Sequence, residues 1–386
     1  MNTETMTSRE RVIRTLNHEP VDRVPIDFGS HFSTGISAFA YWELREHLGL
    51  STDNIRIADP VQFLARIDDD ILERFHSDCI LLQPPWPETM RWNPRGKYEF
   101  TIPASMSPQK NDKGEWVVEK TYSDREAQRM RMPEGGFFFD GSWMGAGYWH
   151  NKSGDEWFAA SAREAECIYK ETSYATNYMG LGSFFGGIEH GIRMQLEPDA
   201  VLEANERACE NSINSFRKVN DAMGKYIQLV TVGNDMGTQK GPICNPEDVE
   251  RFCGPFYKRF CDFVHENSDI KVYMHNCGSI KPLIPMFIEW GIDALNPVQI
   301  SADNMDPREL KEEFGDGITF WGGGCDTQNV LGVKTPEGVA QNVRELVSIF
   351  KPGGGFVFNQ VHNILGNVPP ENVVAMFDTA YSNSFY

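Results

Sequence analysis

The 386-residue sequence predicts a (β/α)8 TIM barrel, formed by one domain that spans residues 1–386. From Tyr226 onward, short apolar runs alternate with amphipathic helical patterns, which implies parallel strands joined by crossover helices. Polar or reactive residues also follow the ends of successive predicted strands, namely Asp235, His275 and Cys277, Gln299, Cys325 and His362. An open doubly wound sheet would gather such residues at one switch point, whereas a TIM barrel carries them on several strand ends.

The first elements are predicted from capping residues and apolar runs. Thr7 and Glu10 form the pattern of a capping box, which predicts a helix that runs to about Asn17. Asp59, followed by Pro60, predicts a helix that runs to Phe75. The other early elements are a strand at Val24–Phe28, a helix at Ile36–Leu48 and a strand at Asp78–Leu82.

Residues 86–157 differ in character and are predicted to form an insertion, or lid, within the barrel. The turn Asn111–Gly114 precedes the alternating segment Trp116–Tyr122, which indicates a β-hairpin. The second half of the insertion is rich in aromatic residues: Phe137, Phe138, Phe139, Trp143, Tyr148, Trp149 and Trp157. These residues either line a pocket for an aryl group or a corrin ring, or pack the hairpin against the barrel.

The remaining elements follow the strand–helix alternation. Helices are predicted at Ser161–Thr172, Pro198–Met223, Asn245–Asn267, Ile280–Trp290, Asp306–Phe314, Pro336–Phe350 and Pro370–Tyr381. Strands are predicted at Tyr226–Val232, Lys271–Met274, Ala294–Val298, Ile318–Trp321 and Gly355–Asn359.

Composition excludes several classes of function. The net charge of −19 argues against nucleic acid and against anionic membrane surfaces, which both require basic partners. No apolar run is long enough to cross a bilayer, and the N-terminus lacks the pattern of a signal peptide. We therefore expect a cytoplasmic protein, and the prevalence of twofold oligomers makes a homodimer the default expectation.

Two of the eight cysteines fall on predicted strand-end loops. Cys277 lies two residues after His275, and Cys325 follows a later strand. One imidazole and two thiolates form a zinc-ligand set with one coordination position left for substrate, as in catalytic sites. Four other cysteines lie in helical patterns and are expected to be core residues: Cys167, Cys209, Cys253 and Cys261.

Three segments resemble the uroporphyrinogen decarboxylase superfamily. They are Ser8–Ile26, Asp235–Pro242 with Pro246-Glu247, and Gly353–Ile364 with Val368–Asn372. The resemblance spans most of the chain, is weakest over residues 86–157, and implies a (β/α)8 barrel. The H-x-C pair with a distant cysteine is similar to the branch of zinc-dependent, corrinoid-linked methyltransferases.

This resemblance implies that Zn²⁺ is bound by His275, Cys277 and Cys325. It also implies transfer of a methyl group between a small molecule and a corrinoid (cobalamin) cofactor on a partner protein. The large insertion favours a bulky donor, so we expect O-demethylation of a methoxylated aromatic compound. Methylation of a thiol such as coenzyme M remains an alternative.

Further polar residues are candidates for the same site. Asp235 is expected to bind zinc or to support His275, and His362 to donate a proton to a leaving oxygen. We expect four residues to contact substrate: His31, Asp78, Asn234 and Gln299. Each of these residues also has a purely structural interpretation, as a cap, a packed side chain or a surface group.

Two other classes of protein remain open. A metal-free decarboxylase-like lyase would hold substrate carboxylates with N-terminal arginines, but the corresponding segment Phe28–Gly35 contains no arginine. The second class is a binding or scaffold protein with a structural metal. A zinc content of about one ion per chain would separate the methyltransferase from the lyase.

Overall fold

The computed structural model describes residues 3–121, 126–142, 144 and 146–386. Its strands are β1 (Ile55–Asp59), β2 (Leu64–Ala65), β3 (Cys79–Leu81), β4 (Thr89–Trp92), β5 (Phe100–Pro103), β6 (Gln109–Lys110), β7 (Trp116–Lys120), β8 (Gln128–Met132), β9 (Asp140–Gly141), β10 (Ala175–Tyr178), β11 (Leu229–Val232), β12 (Lys271–His275), β13 (Ala294–Asn296), β14 (Thr319–Trp321) and β15 (Phe356–Val357).

The helices are α1 (Ser8–Leu16), α2 (Ala38–His47), α3 (Asp69–Arg74), α4 (Gly154–Glu171), α5 (Gly187–Leu196), α6 (Pro198–Met223), α7 (Pro246–Phe252), α8 (Gly254–Asn267), α9 (Ile284–Glu289), α10 (Pro307–Phe314), α11 (Pro336–Phe350) and α12 (Pro370–Ser384). A π-helical turn covers Thr327–Leu331. None of the described helices combines the length and the apolar character that a membrane crossing requires.

Seven parallel strands form the barrel wall in the order β15-β14-β13-β12-β11-β10-β3. The segment at residues 24–28 supplies the eighth position. Ile26 forms a parallel bridge with Phe358 on one side, and its carbonyl accepts from the Asp78 backbone N–H at 2.7 Å on the other. This segment therefore joins the two edges of the sheet, and the predicted (β/α)8 barrel is confirmed.

Helix α1 closes the amino-terminal end of the barrel. Val12 and Leu16 pack in one buried cluster with Cys79, Ala175 and Leu229, each of which is the first residue of its strand. The predicted cap is present, since the Thr7 side chain accepts from the backbone N–H of Glu10 at 3.3 Å. The carboxyl-terminal ends of the strands lie at the opposite end, where polar residues cluster.

Two smaller sheets account for much of the insertion: β2-β1-β5-β4 and β6-β7-β8-β9. The first includes β1 and β2, which precede barrel strand β3, so the helix predicted from Asp59 to Phe75 is wrong except for α3. The Asp59 carboxylate accepts from the Val61 backbone N–H at 3.0 Å in a tight turn instead of capping a helix. Phe63 then takes a positive φ of 56°, which no helix allows.

Phe138 is exposed, whereas the other described aromatic residues of the insertion named above are buried or partly buried. Phe139 and Trp149 are buried, and the Phe139 ring contacts Phe63 and Trp92. Trp157 stacks on Trp86 at a ring distance of 5.5 Å. Trp143 and Tyr122 lie outside the described residues. Of the four cysteines expected in the core, three are buried, whereas Cys167 is exposed on α4.

Candidate active site

His275, at the end of β12, is oriented by an asparagine on the neighbouring strand. Its Nδ1 lies 2.9 Å from Oδ1 of Asn296, the last residue of β13. The Asn296 amide nitrogen donates to the carbonyl oxygen of Trp321 at 2.9 Å, and a carbonyl can only accept. The amide oxygen therefore faces His275, the imidazole carries its proton on Nδ1, and the Nε2 lone pair points away from Asn296.

A second histidine is coupled to the same asparagine. The hydroxyl of Ser33 donates to Asn296 Oδ1 at 2.6 Å and lies 2.7 Å from Nδ1 of His31. The His31 ring stacks on that of His275, with ring centres 5.3 Å apart. Burial lowers the pKa of His31 well below its ordinary value, and the nearby His275 and His362 lower it further. His31 is therefore a neutral neighbour of His275.

Cys277 lies beside the free nitrogen of His275. Its Sγ is 3.5 Å from His275 Nε2, and its backbone N–H donates to Asp235 Oδ1 at 2.9 Å. The same Asp235 oxygen is 3.6 Å from His275 Nε2. Burial raises the pKa of the Cys277 thiol, and the negative charge of Asp235 adds to the effect. A metal ion at this position would therefore have to displace a proton from the thiol.

One group of side chains among the described residues has the spacing of a metal site: His275, Cys277 and His362, with one ligand atom of each within 4.8 Å of the others. The predicted third ligand, Cys325, does not belong to this group. Its buried thiol contacts the carbonyl oxygen of Asp326 at 4.0 Å. Its loop is nevertheless adjacent, because the Val361 N–H donates to the Cys325 carbonyl at 2.9 Å.

The loops that carry Asp235 and Cys277 interlock through glycine residues. A Cβ atom on Gly278 would lie 2.5 Å from the carbonyl carbon of Gly237 and 2.7 Å from the oxygen of Thr238. Gly278 also has a φ of +95°, which a side chain would strain. Gln299 supports the same loop, because its Oε1 accepts from the Gly278 N–H at 2.9 Å.

Two residues predicted to contact substrate, Asp78 and Asn234, do not point to the group formed by His275, Cys277 and His362. Asp78 precedes β3, at the amino-terminal end of the barrel, and is fully buried, away from His275 and Cys277. Its carboxylate pairs with Arg11 at 2.6 Å and Arg23 at 2.7 Å. Asn234 lies near the Asp235 loop, but its side-chain amide donates to the backbone carbonyl of Phe185.

Two residues that orient the histidines were not predicted from the sequence. Asn296 ends a strand and precedes a proline, and Ser33 lies in the loop after the first barrel strand. The position of Asn296 at the end of a predicted strand is the sequence signal that could have indicated it. The donor set that these residues orient consists of nitrogen and sulfur, which suits Zn²⁺.

Comparisons with known proteins agree with the fold. A model of the family "Uroporphyrinogen decarboxylase (URO-D)" matches residues 185–382, just over half of the chain. A solved structure described as a methyltransferase from Methanosarcina mazei is similar, with a TM-score of 0.57 and 16% sequence identity. The alignment covers 98% of this chain and 99% of that chain, and it demonstrates a shared fold. No curated protein sequence matches. The chain therefore belongs to the uroporphyrinogen decarboxylase family.

Proposed function

We propose that this protein is a zinc-dependent methyltransferase that moves a methyl group between a methylated small molecule and a corrinoid cofactor on a partner protein. The observation that carries the proposal is the pair formed by His275 Nε2 and Cys277 Sγ, 3.5 Å apart at the carboxyl-terminal end of the barrel. A neutral imidazole with its lone pair directed at a thiol is the arrangement from which a zinc site is built.

The proposed ligands are His275, Cys277 and Cys325. Cys325 is preferred to the nearer His362 because two thiolates and one imidazole form an open catalytic set, and its buried thiol has only a 4.0 Å contact with a backbone carbonyl. When bound, zinc would polarise the oxygen of a methyl ether, or promote loss of the proton from a thiol. The His362 side chain then faces the position left for substrate.

The surrounding residues orient the proposed zinc ligands His275 and Cys277. Asn296 holds the His275 lone pair toward the cysteine, and Asp235 fixes the Cys277 loop through the backbone N–H. Burial lowers the pKa of His362, and His275 lowers it further, so its ring is neutral at physiological pH. In demethylation, the carbon–oxygen bond of the donor would break, the methyl group would go to a reduced corrinoid, and the leaving oxygen would take up a proton from solvent.

The proposed donor is a methoxylated aromatic compound. The insertion supports a bulky donor because it reaches the loop after the last barrel strand, where Phe137 packs against Gly366. The same site would also serve the reverse type of reaction, in which a thiol accepts the methyl group, because a thiol is a suitable fourth zinc ligand.

The arrangement of arginines disfavours a carboxylate-binding lyase. Arg11 and Arg23, which precede the first barrel segment in sequence, are both paired with Asp78 at the amino-terminal end of the barrel. Neither guanidinium is therefore available to bind substrate carboxylates at the other end.

The test combines metal analysis with a methyl-transfer assay. Purified protein should contain about one zinc per chain and should convert cob(I)alamin to methylcobalamin with a methoxybenzoate, followed by absorbance. Cys277→Ser should lose both properties, whereas Cys261→Ser, which changes a buried thiol on α8, should keep them. Methylation of 2-mercaptoethanesulfonate by methylcobalamin, without any demethylation, would instead identify the thiol reaction. Failure in both assays by zinc-loaded protein would reject methyl transfer.

A further inference from the structure

A line of polar side chains connects the sheet formed by β1 and β2 with His362. It begins at Asp59, the last residue of β1, whose side chain is buried. The Asp59 carboxylate accepts from the side-chain amide of Gln62 at 2.9 Å. The amide of Asn363 donates to Gln62 Oε1 at 3.0 Å, and Asn363 Oδ1 lies 2.9 Å from His362 Nδ1.

The carboxylate sets the direction of every hydrogen bond in this line. Both carboxylate oxygens of Asp59 accept backbone N–H groups, Oδ1 from Val61 at 3.0 Å and Oδ2 from Gln62 at 3.4 Å. The carboxylate is therefore an acceptor, so the NH2 group of Gln62 faces Asp59 and its oxygen faces Asn363. That oxygen also only accepts, so the NH2 group of Asn363 faces Gln62. The Asn363 oxygen is then presented to His362 Nδ1, where the matching partner is an N–H.

We propose that Asp59 and Gln62 are positioning residues that, through Asn363, hold the proton of His362 on Nδ1 and leave the lone pair on Nε2. The Nε2 atom belongs to the imidazole that faces His275 and Cys277. His362 and His275 are then matched, because each has its Nδ1 opposite an asparagine oxygen.

One contact opposes this assignment. The backbone N–H of Asn363 also lies 2.9 Å from His362 Nδ1, and it favours a proton on Nε2. In that state two lone pairs, those of Nδ1 and Asn363 Oδ1, would face each other at 2.9 Å. Asn363 cannot turn its oxygen away without breaking its bond to Gln62, so the side-chain contact prevails.

The consequence for chemistry rests on the proposed function. A neutral His362 with a lone pair on Nε2 accepts a proton from a substrate or binds metal, and it donates a proton only after taking one up. This reverses the resting-state role predicted from the sequence, in which His362 donates a proton to a leaving oxygen. The protonation pattern itself can be measured without substrate, corrinoid or methyl transfer.

The experiment uses the full-length protein labelled with ¹⁵N-histidine, at mildly alkaline pH, and reads the tautomer of His362 from two-bond ¹H–¹⁵N correlations. A His362→Asn variant assigns the signals. In the native protein Nδ1 should be the protonated nitrogen. Gln62→Met should move the proton to Nε2, because Asn363 is then free to turn and its backbone N–H dominates. Adding Asn363→Asp to Gln62→Met should restore the proton to Nδ1, because a carboxylate only accepts.

Gln83→Met is the matched control. Gln83 is a buried glutamine whose amide donates to the Ala58 carbonyl at 2.9 Å, on the same strand β1. None of its contacts with the described residues involves His362. This variant should lose a comparable amount of thermal stability without changing the tautomer. A proton on Nε2 in the native protein, or a Gln62→Met spectrum identical to the native one, would overturn the proposal. If the native protein has its proton on Nδ1 of His362 but transfers no methyl group, that result would count against the proposed function and not against this inference.

Discussion

Asn296 selects the tautomer of His275 across two adjacent barrel strands, through a hydrogen bond of 2.9 Å between Oδ1 and Nδ1. The Asn296 side chain is held in this orientation because its amide nitrogen donates a hydrogen bond to the carbonyl oxygen of Trp321 on the next strand. Three consecutive strands, β12, β13 and β14, thus determine where one lone pair points. Residues that orient a metal-binding histidine in this way commonly change metal affinity when they are mutated.

Replacement of Asn296 should therefore weaken zinc binding. In Asn296→Leu, His275 loses the acceptor for its Nδ1 proton, and we expect the apparent zinc affinity to fall by about 10–100-fold in a chelator competition assay. Asn205→Leu is the control, because Asn205 is also buried and donates to two backbone carbonyls, those of Phe184 and Phe252, without touching a histidine. Equal affinities in the two variants would mean that Asn296 does not orient a ligand.

The identity of the third zinc ligand can be resolved by substitution. If Cys325 completes the site, Cys325→Ser should lower zinc content well below one ion per chain, while His362→Gln should retain zinc and lose activity. If His275, Cys277 and His362 bind the ion instead, His362→Gln should lose zinc and Cys325→Ser should retain it. Cys261→Ser controls for the loss of a buried thiol. Retention of full zinc by Cys325→Ser would show that its thiol is not a ligand.

The barrel was predictable because its signals are local and repeated. Each strand from β11 to β15 is a short apolar run followed by a helical pattern, and neither depends on distant residues. The helix predicted from Asp59 to Phe75 is wrong because a local turn at Asp59 begins the segment and a distant contact from the insertion holds it. The Asp59 carboxylate bonds to Val61 and Gln62, and Phe139 donates to the Val61 carbonyl at 2.8 Å from the insertion.

The site was predictable in part for the same reason. His275 and Cys277 are two residues apart, so their proximity is a local property of one strand end. Asp78 carries the same chemical signal as Asp235, but it precedes its strand and so lies at the opposite end of the barrel. The link between Gln62 and Asn363 joins residues from the first and last thirds of the chain, and no pattern in either segment indicates it.

The contact between Gly237 and Gly278 makes a further prediction about the Cys277 loop. Gly278→Ala places a methyl group 2.5 Å from the Gly237 backbone in a left-handed conformation, which costs about 1–2 kcal/mol before the clash is counted. The loop must move, so zinc affinity should fall while the barrel remains folded by circular dichroism. Gly241→Ala is the control, because a Cβ atom at Gly241 meets nothing within 4 Å. Normal zinc binding by Gly278→Ala would show that this close approach is not needed.

The ion-pair network at the other end of the barrel predicts how stability depends on pH. Burial alone would raise the pKa of Asp22, but hydrogen bonds from Arg11, at 2.6 Å, and from the Thr5 backbone N–H, at 2.7 Å, outweigh burial and lower it. The ionised form is therefore favoured in the folded state. Its contribution to stability is complete above the ordinary aspartate pKa and is lost as the pH falls below it.

Asp22→Asn should be less stable than the native protein near neutral pH, by about 1–3 kcal/mol, because charge-assisted hydrogen bonds to Arg11 are lost. The difference should shrink as the pH falls from about 4 to about 2, because the Asp22 carboxylate of the unfolded chain takes up a proton there while that of the folded protein stays ionised. Urea unfolding of both proteins across this range measures the effect, and Asp269→Asn serves as an exposed control. A stability difference that stayed constant with pH would show that Asp22 does not contribute through its charge. The network of Arg11 with Asp22 and Asp78 would then act through packing and neutral hydrogen bonds.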